Sequence, residues 1–236
     1  MKKFFALSLL TLSIISLTWA QEAKKPRPNL PGHLLFDYGF NQLLNAPLNG
    51  ELKFIGSRTI NIAYLYELPL GNSSFTFNPG LGVSNERFSF SKRVSLATNP
   101  DSTTIATIED IFTGRTVSPE KSSFSNTYID MPLEFRFYSN KVDTKRSLMV
   151  ALGGKIGYRV DTMTKIKFTE NGETKKVKYK EDFHMNDLRY GAYLRVGIGG
   201  FNAWYYHGLS PLFKSGKGPN QIDTTPISFG ISLEIF

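Results

Sequence analysis

Few residue types in this chain are equipped for covalent or metal chemistry. His33, His184 and His207 lie on separate segments, and no pair has metal-ligand spacing. His207 precedes Ser210, the residue pair of a hydrolytic dyad. On a strand, however, three residues of separation put the two side chains on opposite faces, so the pair cannot act locally. Cysteine is absent, which removes disulfides, thiolate metal sites and a lipidated N-terminal Cys. Gly80-Leu81-Gly82 and the Gly197 to Gly200 stretch lack the strand–loop–helix context of a nucleotide site. The expectation is no catalytic residue, no metal and no cofactor.

Charge placed on alternating positions is more informative. Asp130 and Glu134 share one face of a stretch, and Lys155 and Arg159 share one face of a second. If the two pair so that residue numbers sum to 289, Glu134 faces Lys155 and Asp130 faces Arg159. Leu133, Met131 and Phe135 then meet Ile156, Tyr158 and Gly154 on the other face. Opposite charges across strands are the expected structural ion pairs of an enclosed polar interior. A second charged feature is KIKFTENGETKKVKYK, residues 165–180. Asn171-Gly172 is a two-residue hairpin signal. It pairs Ile166 with Val177 and puts Lys165, Lys167, Lys176 and Lys178 on one face, lysine opposite lysine. That face calls for an anion, either a lipopolysaccharide phosphate or an acidic partner; the plainer alternative is a solvated edge guarded by lysine.

The elements that must carry these side chains alternate with period two. Leu34, Phe36, Tyr38 and Phe40 oppose Leu35, Asp37, Gly39 and Asn41. Ile60, Ile62, Tyr64 and Tyr66 oppose Asn61, Ala63 and Leu65. Similar segments begin near Phe75, Ile129, Leu148 and Leu188, and Phe201 to Leu209 is aromatic on both faces, which leaves its phase open. The chain closes on ISFGISLEIF, alternating to the end. Eight such segments are long enough for tilted crossings of about 9–11 residues. Connections near 70–74, 139–146 and 199–202 are short; those near 42–57, 92–124, 162–186 and 211–225 are long. Pro79 and Pro132 fall inside strands, where bulges or local breaks are expected.

The chain has 236 residues and a formal charge of +8. Lys2 and Lys3, the apolar Phe4 to Leu17 and Thr18-Trp19-Ala20 read as a signal peptide over 1–20, and its removal lowers the charge to +6. Residues 21–32 read as an extended Lys/Pro-rich periplasmic tail, and residues 33–236 as one domain. No nucleic-acid motif is present. Alternation alone does not say which face points inward, and a secreted ligand-binding barrel would put the apolar face inside. Acids and bases on the polar face, aromatics toward the strand ends and the alternation of loop lengths favour apolar-out. The expected fold is an all-β, eight-stranded antiparallel up-and-down transmembrane β-barrel with short periplasmic turns and long extracellular loops, in the outer membrane. Its narrow lumen should be a packed polar core. The final Phe236 is the aromatic end common to such barrels, although Ile235 and not Phe236 is in phase with the apolar positions.

Several stretches carry a family resemblance: LLFDYGFNQLLNAP (34–47), GSRTINIAYLYELPLG (56–71), YIDMPLEFRFYSN (128–140), GGKIGYRVDTMTKIKF (153–168) and YHGLSPLF (206–213). Together they resemble the PorT-like family of outer-membrane β-barrel proteins, over roughly residues 33–236. The resemblance implies an eight-stranded outer-membrane barrel and, through the family's founding member, a link to type IX secretion; it brings no functional residue set. The expected role is a non-enzymatic structural or interaction component of the envelope. Its partners would be outer-membrane lipid, lipopolysaccharide and envelope or secretion-machinery proteins. A surface receptor or adhesin binding through loops 92–124 and 165–180 is the alternative, and a lipid A-active enzyme the third.

Overall fold

A computed structural model describes residues 32–45, 52–90, 93–140 and 142–235. The expected signal peptide, the tail up to residue 31 and Phe236 lie outside the described residues. Gly32, assigned to the tail from sequence, is the first residue of a strand.

Among the described residues, twelve strands follow one another. They are β1 (Gly32–Leu44), β2 (Leu52–Tyr66), β3 (Leu68–Pro69), β4 (Phe75–Phe90), β5 (Val94–Thr98), β6 (Thr103–Thr107), β7 (Ser118–Tyr138), β8 (Leu148–Glu170), β9 (Glu173–Lys180), β10 (Leu188–Ile198), β11 (Phe201–Gly208) and β12 (Thr225–Ile235). Eight of them, β1, β2, β4, β7, β8, β10, β11 and β12, pair with neighbours in chain order, and β12 returns to β1. Every pairing is antiparallel, so the sheet closes without a free edge.

Period-two patterning decides what faces where. Leu34, Ile62, Leu81, Leu152, Ile156 and Ile231 are exposed on the outside, and Leu152 is 65 % exposed. Asp37, Glu86, Asp130, Glu134, Arg136, Arg189 and Arg195 are buried inside. A closed sheet with an apolar exterior and a charged interior is the inverse of a water-soluble barrel, and its outer belt is solvated by lipid. In β11, the segment without a sequence phase, Trp204 and Tyr206 turn inward and Phe201 and Tyr205 outward.

One rim carries the short turns: 67–74, a turn holding the 3-10 segment Thr144–Arg146, and Gly199-Gly200. Gly32 and Ile235 lie at the same rim. The other rim carries the long connections, which are shorter than the sequence implied because the strands run on: β2 begins at Leu52, β7 at Ser118, and β8 reaches Glu170. The expected irregularity at Pro79 and Pro132 is a break and not a bulge. The β4–β7 ladder lapses between Pro79–Leu133 and Gly82–Asp130 and resumes in unchanged register.

True bulges lie higher. On β8, Asp161 pairs with Thr127 and Arg159 with Tyr128, leaving Val160 as the extra residue. Below it, even-numbered residues of β8 face lipid; above it, Thr162, Thr164, Ile166 and Phe168 face inward and are buried. Barrel and upper strand therefore follow opposite parities.

The belt predicts graded tolerance to charge. Leu152→Arg should cost about 2–4 kcal/mol, whereas Ile55→Arg, near the long-loop rim, should cost about 0–1 kcal/mol. Urea unfolding in lipid vesicles measures both.

Candidate functional site

The lumen is filled by three arginines that each tie carboxylates from different strands. Arg189 of β10 donates from Nη2 to both oxygens of Asp130 at 2.8 and 2.7 Å, and from Nη1 to Glu86 on β4. Its guanidinium lies 3.7 Å from the Tyr128 ring centroid, in cation–π contact. Arg195 of β10 donates to Asp37 on β1 at 2.8 Å and to Glu134 on β7 at 3.2 Å. Arg136 donates to Glu134 at 2.9 Å and to Glu234 on β12. At the short-turn rim His33 lies between Glu67 and Glu234, with its Nδ1 3.0 Å from the latter. Trp204, Tyr193 and Tyr206 fill most of the remaining space. A cavity of about 40 Å³ is left among Asp37, Asp130, Lys155, Arg195 and Tyr206, room for about three waters.

This arrangement corrects the sequence-based pairing. The β7–β8 register opens with Tyr138 opposite Met149, two residues off the expected one. Asp130 faces Gly157 and Glu134 faces Gly153, while Leu133, Met131 and Phe135 meet Gly154, Ile156 and Leu152. Asp130 and Arg159 do not pair. Lys155 remains in the lumen, 3.8 Å from Asp130 and not at Glu134, with its ammonium 4.4 Å from the Tyr206 ring centroid. Arg159 turns to the long-loop rim, where it binds Asp182 and Asp187 and donates to the Asn186 carbonyl at 3.2 Å.

The physical reason is room. Gly157 separates Asp130 from Arg189 in one row of the sheet. A Cβ there would lie 2.2 Å from Asp130 Oδ1 and 2.8 Å from Arg189 Nε. The glycine lets the arginine reach over β8 to the acid on β7. In so narrow a lumen the partner of an inward charge need not be on the adjacent strand. Sequence parity marks Arg136, Arg189 and Arg195 as inward residues; their partners follow only from the closed ring.

Above the lumen the long connections fold into a head. Leu43, Phe88, Phe90, Leu96, Phe124, Phe183, Met185, Leu212 and Phe213 form one buried apolar cluster. Each fully buried phenylalanine contributes roughly 1.5–3 kcal/mol. Residues 92–124, expected as a long loop, contain the β5–β6 hairpin, a single helical turn Ile108–Ile111 capped by Thr107 Oγ1, and the first part of β7. Ile108 and Phe112 pack on Ile166 and Phe168. Thr103 Oγ1 donates to the Phe183 carbonyl at 2.7 Å, which ties the hairpin to the 181–187 connection. Arg115 grips Glu170 with bonds of 2.7 and 2.6 Å, and Lys175 donates to the same carboxylate at 2.8 Å. Those bonds, Arg115 first, hold the Glu170 carboxyl at about 2.

The lysine hairpin has the expected register. Ile166 pairs with Val177, Lys165 with Lys178 and Lys167 with Lys176, around Asn171 and Gly172 at φ of 52° and 80°. Glu120 supplies an anion to Lys167. The histidines and Ser210 are engaged separately: His207 Nδ1 lies 3.0 Å from the Tyr205 hydroxyl, His184 Nδ1 lies 3.2 Å from Thr103 Oγ1, and Ser210 Oγ accepts from the Tyr190 amide at 3.0 Å.

Residues 20–214 match the family described as outer membrane protein beta-barrel domain. The chain belongs to that family. It is an integral outer-membrane barrel with its short turns in the periplasm and its head outside the cell. No curated protein matches the sequence. Among solved structures, similarity is found to Ail, the attachment invasion locus protein of Yersinia pestis, in complex with the heparin analogue sucrose octasulfate. That match has 16 % identity, covers 86 % of this chain and 99 % of that chain, and has a TM-score of 0.38.

Arg189→Ala strands Glu86 in the lumen and leaves Asp130 with Lys155 alone; it should cost about 3–5 kcal/mol, most of it recovered in Arg189→Met combined with Glu86→Gln, where Asp130 keeps Lys155. Arg159→Ala, whose acids are half exposed, should cost about 1 kcal/mol or less in the same urea unfolding series. For Glu170 the folded carboxyl is depressed, so its contribution is complete above the ordinary value of 4.5 and is lost as pH falls through about 2. Side-chain NMR should find a midpoint near 2, moving toward 4.5 in Arg115→Gln.

Proposed function

We propose that this barrel is a non-enzymatic interaction component of the cell envelope that works through its extracellular head. The carrying observation is the division of the molecule. The lumen is occupied by paired charges and aromatic rings and is covered by the apolar cluster of the head. The interior therefore serves stability, and the exterior is left for contact. A packed head presents a preformed surface, which lowers the ordering cost of binding.

The resemblance of stretches 34–47, 128–140 and 153–168 to PorT-like barrels supports the sharper form of this reading, accessory service to type IX protein secretion. A surface receptor or adhesin is the second reading. It is favoured by the folding of residues 93–117 into a hairpin and a helical turn clasped to the 165–180 hairpin through Arg115 and Glu170.

Extraction of a tagged copy from native membranes in mild detergent, followed by identification of co-purifying proteins, tests the first reading. Reproducible recovery of secretion-machinery subunits is the expected result. A barrel that emerges alone, from cells whose protein secretion is unaffected by its deletion, removes the accessory role. Excision of the β5–β6 hairpin separates the two readings, because loss of surface attachment with intact secretion identifies a receptor.

A further inference from the structure

Cations face cations on the outer surface just above the apolar belt. Arg58 on β2 lies opposite Arg87 on β4. One row higher, Lys53 lies opposite Ser89, Ser89 opposite Ser123, Ser123 opposite Lys165, and Lys165 opposite Lys178. The next row runs Lys121, Lys167, Lys176. The accessible cations of these rows lie on β2, β4, β7, β8 and β9 and form one ribbon, with Ser89 and Ser123 buried beneath it. The bulge at Val160 is what turns Lys165 and Lys167 outward to join it.

Among the described residues, little neutralises this ribbon. Glu120 is taken by Lys167, and Asp161 by Lys180. Among the described residues, Lys53, Arg58, Lys121, Lys165, Lys176 and Lys178 form no ion pair. Arg87 donates to Ser123 Oγ at 3.1 Å, yet its Nε is buried without an acceptor. The Lys121 ammonium is held below its ordinary value by partial burial and then by Arg87, Arg58, Lys53 and Lys165. Like charges directly opposed destabilise a sheet unless an anion comes between them.

The height of the ribbon identifies that anion. Arg58 is two residues beyond Ile60, and Arg87 four beyond Val83; both apolar residues are exposed on the belt. On strands tilted by about 40°, two residues gain about 5 Å of height and four about 10 Å. A bilayer's polar region adds about 5–7 Å on each side of its hydrocarbon core. The two arginines therefore stand at headgroup depth, and the lysine rows just outside it. Guanidinium pairs are suited to phosphate oxygens, and the partly exposed Ser125 adds a hydroxyl donor.

We propose that this ribbon binds the phosphorylated headgroup of an outer-leaflet glycolipid, with Arg58 and Arg87 on the membrane-proximal phosphate and Lys165 and Lys178 on the charge beyond it. The site lies on the outer flank and shares only the 165–180 hairpin with the head surface proposed above.

The test is direct. The purified barrel in phosphatidylcholine nanodiscs is titrated with phosphorylated lipid A and with the same lipid dephosphorylated, and binding is read by native mass spectrometry and by the shift in Tm. The wild type should bind and be stabilised by the phosphorylated form only. Each cation near a charged lipid surface is worth about fivefold in affinity, so Arg58→Gln with Arg87→Gln should bind about 25-fold more weakly. Adding Lys165→Gln and Lys178→Gln should weaken it further. Different migration of heated and unheated samples shows that the variants are folded barrels. Wild-type binding should also fall as salt rises. Equal binding of the two lipids, unchanged affinity in the folded variants, or a flat salt dependence overturns the proposal. A soluble sulfated polysaccharide that binds the ribbon as tightly as the phosphorylated lipid overturns the assignment to lipid.

Discussion

The structure depends on neutralising charge inside a barrel too narrow to hold bulk water. Arg136, Arg189 and Arg195 each reach a carboxylate on a strand that does not adjoin their own in the ring: Arg189 spans from β10 to β4, Arg195 from β10 to β1, and Arg136 from β7 to β12. Planar guanidinium groups can do this because one side chain donates in several directions at once. The sheet is thus braced across its interior as well as around its wall. The bracing is unforgiving, since a lone charge left in the lumen has little room for water to take its partner's place.

Space for these arginines is made by their neighbours on β8. Gly157 and Ala151 stand opposite Arg189 and Arg195, and Gly153 lies opposite Tyr193. Small residues on one strand and long residues on the next fill the cross-section together. The apolar cluster of the head completes the closure from outside. Polar filling and apolar lid are complementary solutions: the first satisfies inward charges, and the second gives the long connections a core of their own.

Strand parity was legible because period-two alternation is local. Leu34, Phe36, Tyr38 and Phe40 face outward on β1, and Asp37 and Asn41 inward, as alternation requires. The lysine hairpin was equally legible, because Asn171-Gly172 sets register by turn geometry alone. The partners of Asp130 and Glu134 were not. Hairpin reasoning searches the adjacent strand, and ring closure brought Arg189 and Arg195 from two strands away in the sheet. The head was hidden for a related reason: its cluster draws on β1, β4, β5, β7 and the 181–187 and 209–224 connections, none of which carries a periodic signal for the others.

The extra residue at Val160 has a consequence for how such proteins can be recombined. It shifts the reading frame of inside and outside, so that barrel and head are written in opposite phases on one continuous strand. Exchange of a head between barrels is then a matter of where the seam is cut. A segment taken with Val160 carries its own phase correction and arrives correctly oriented. A segment cut one residue later arrives inverted, with Ile166 and Phe168 toward water and the lysines turned toward the lumen. A single residue thus sets the phase of everything β8 carries above the wall.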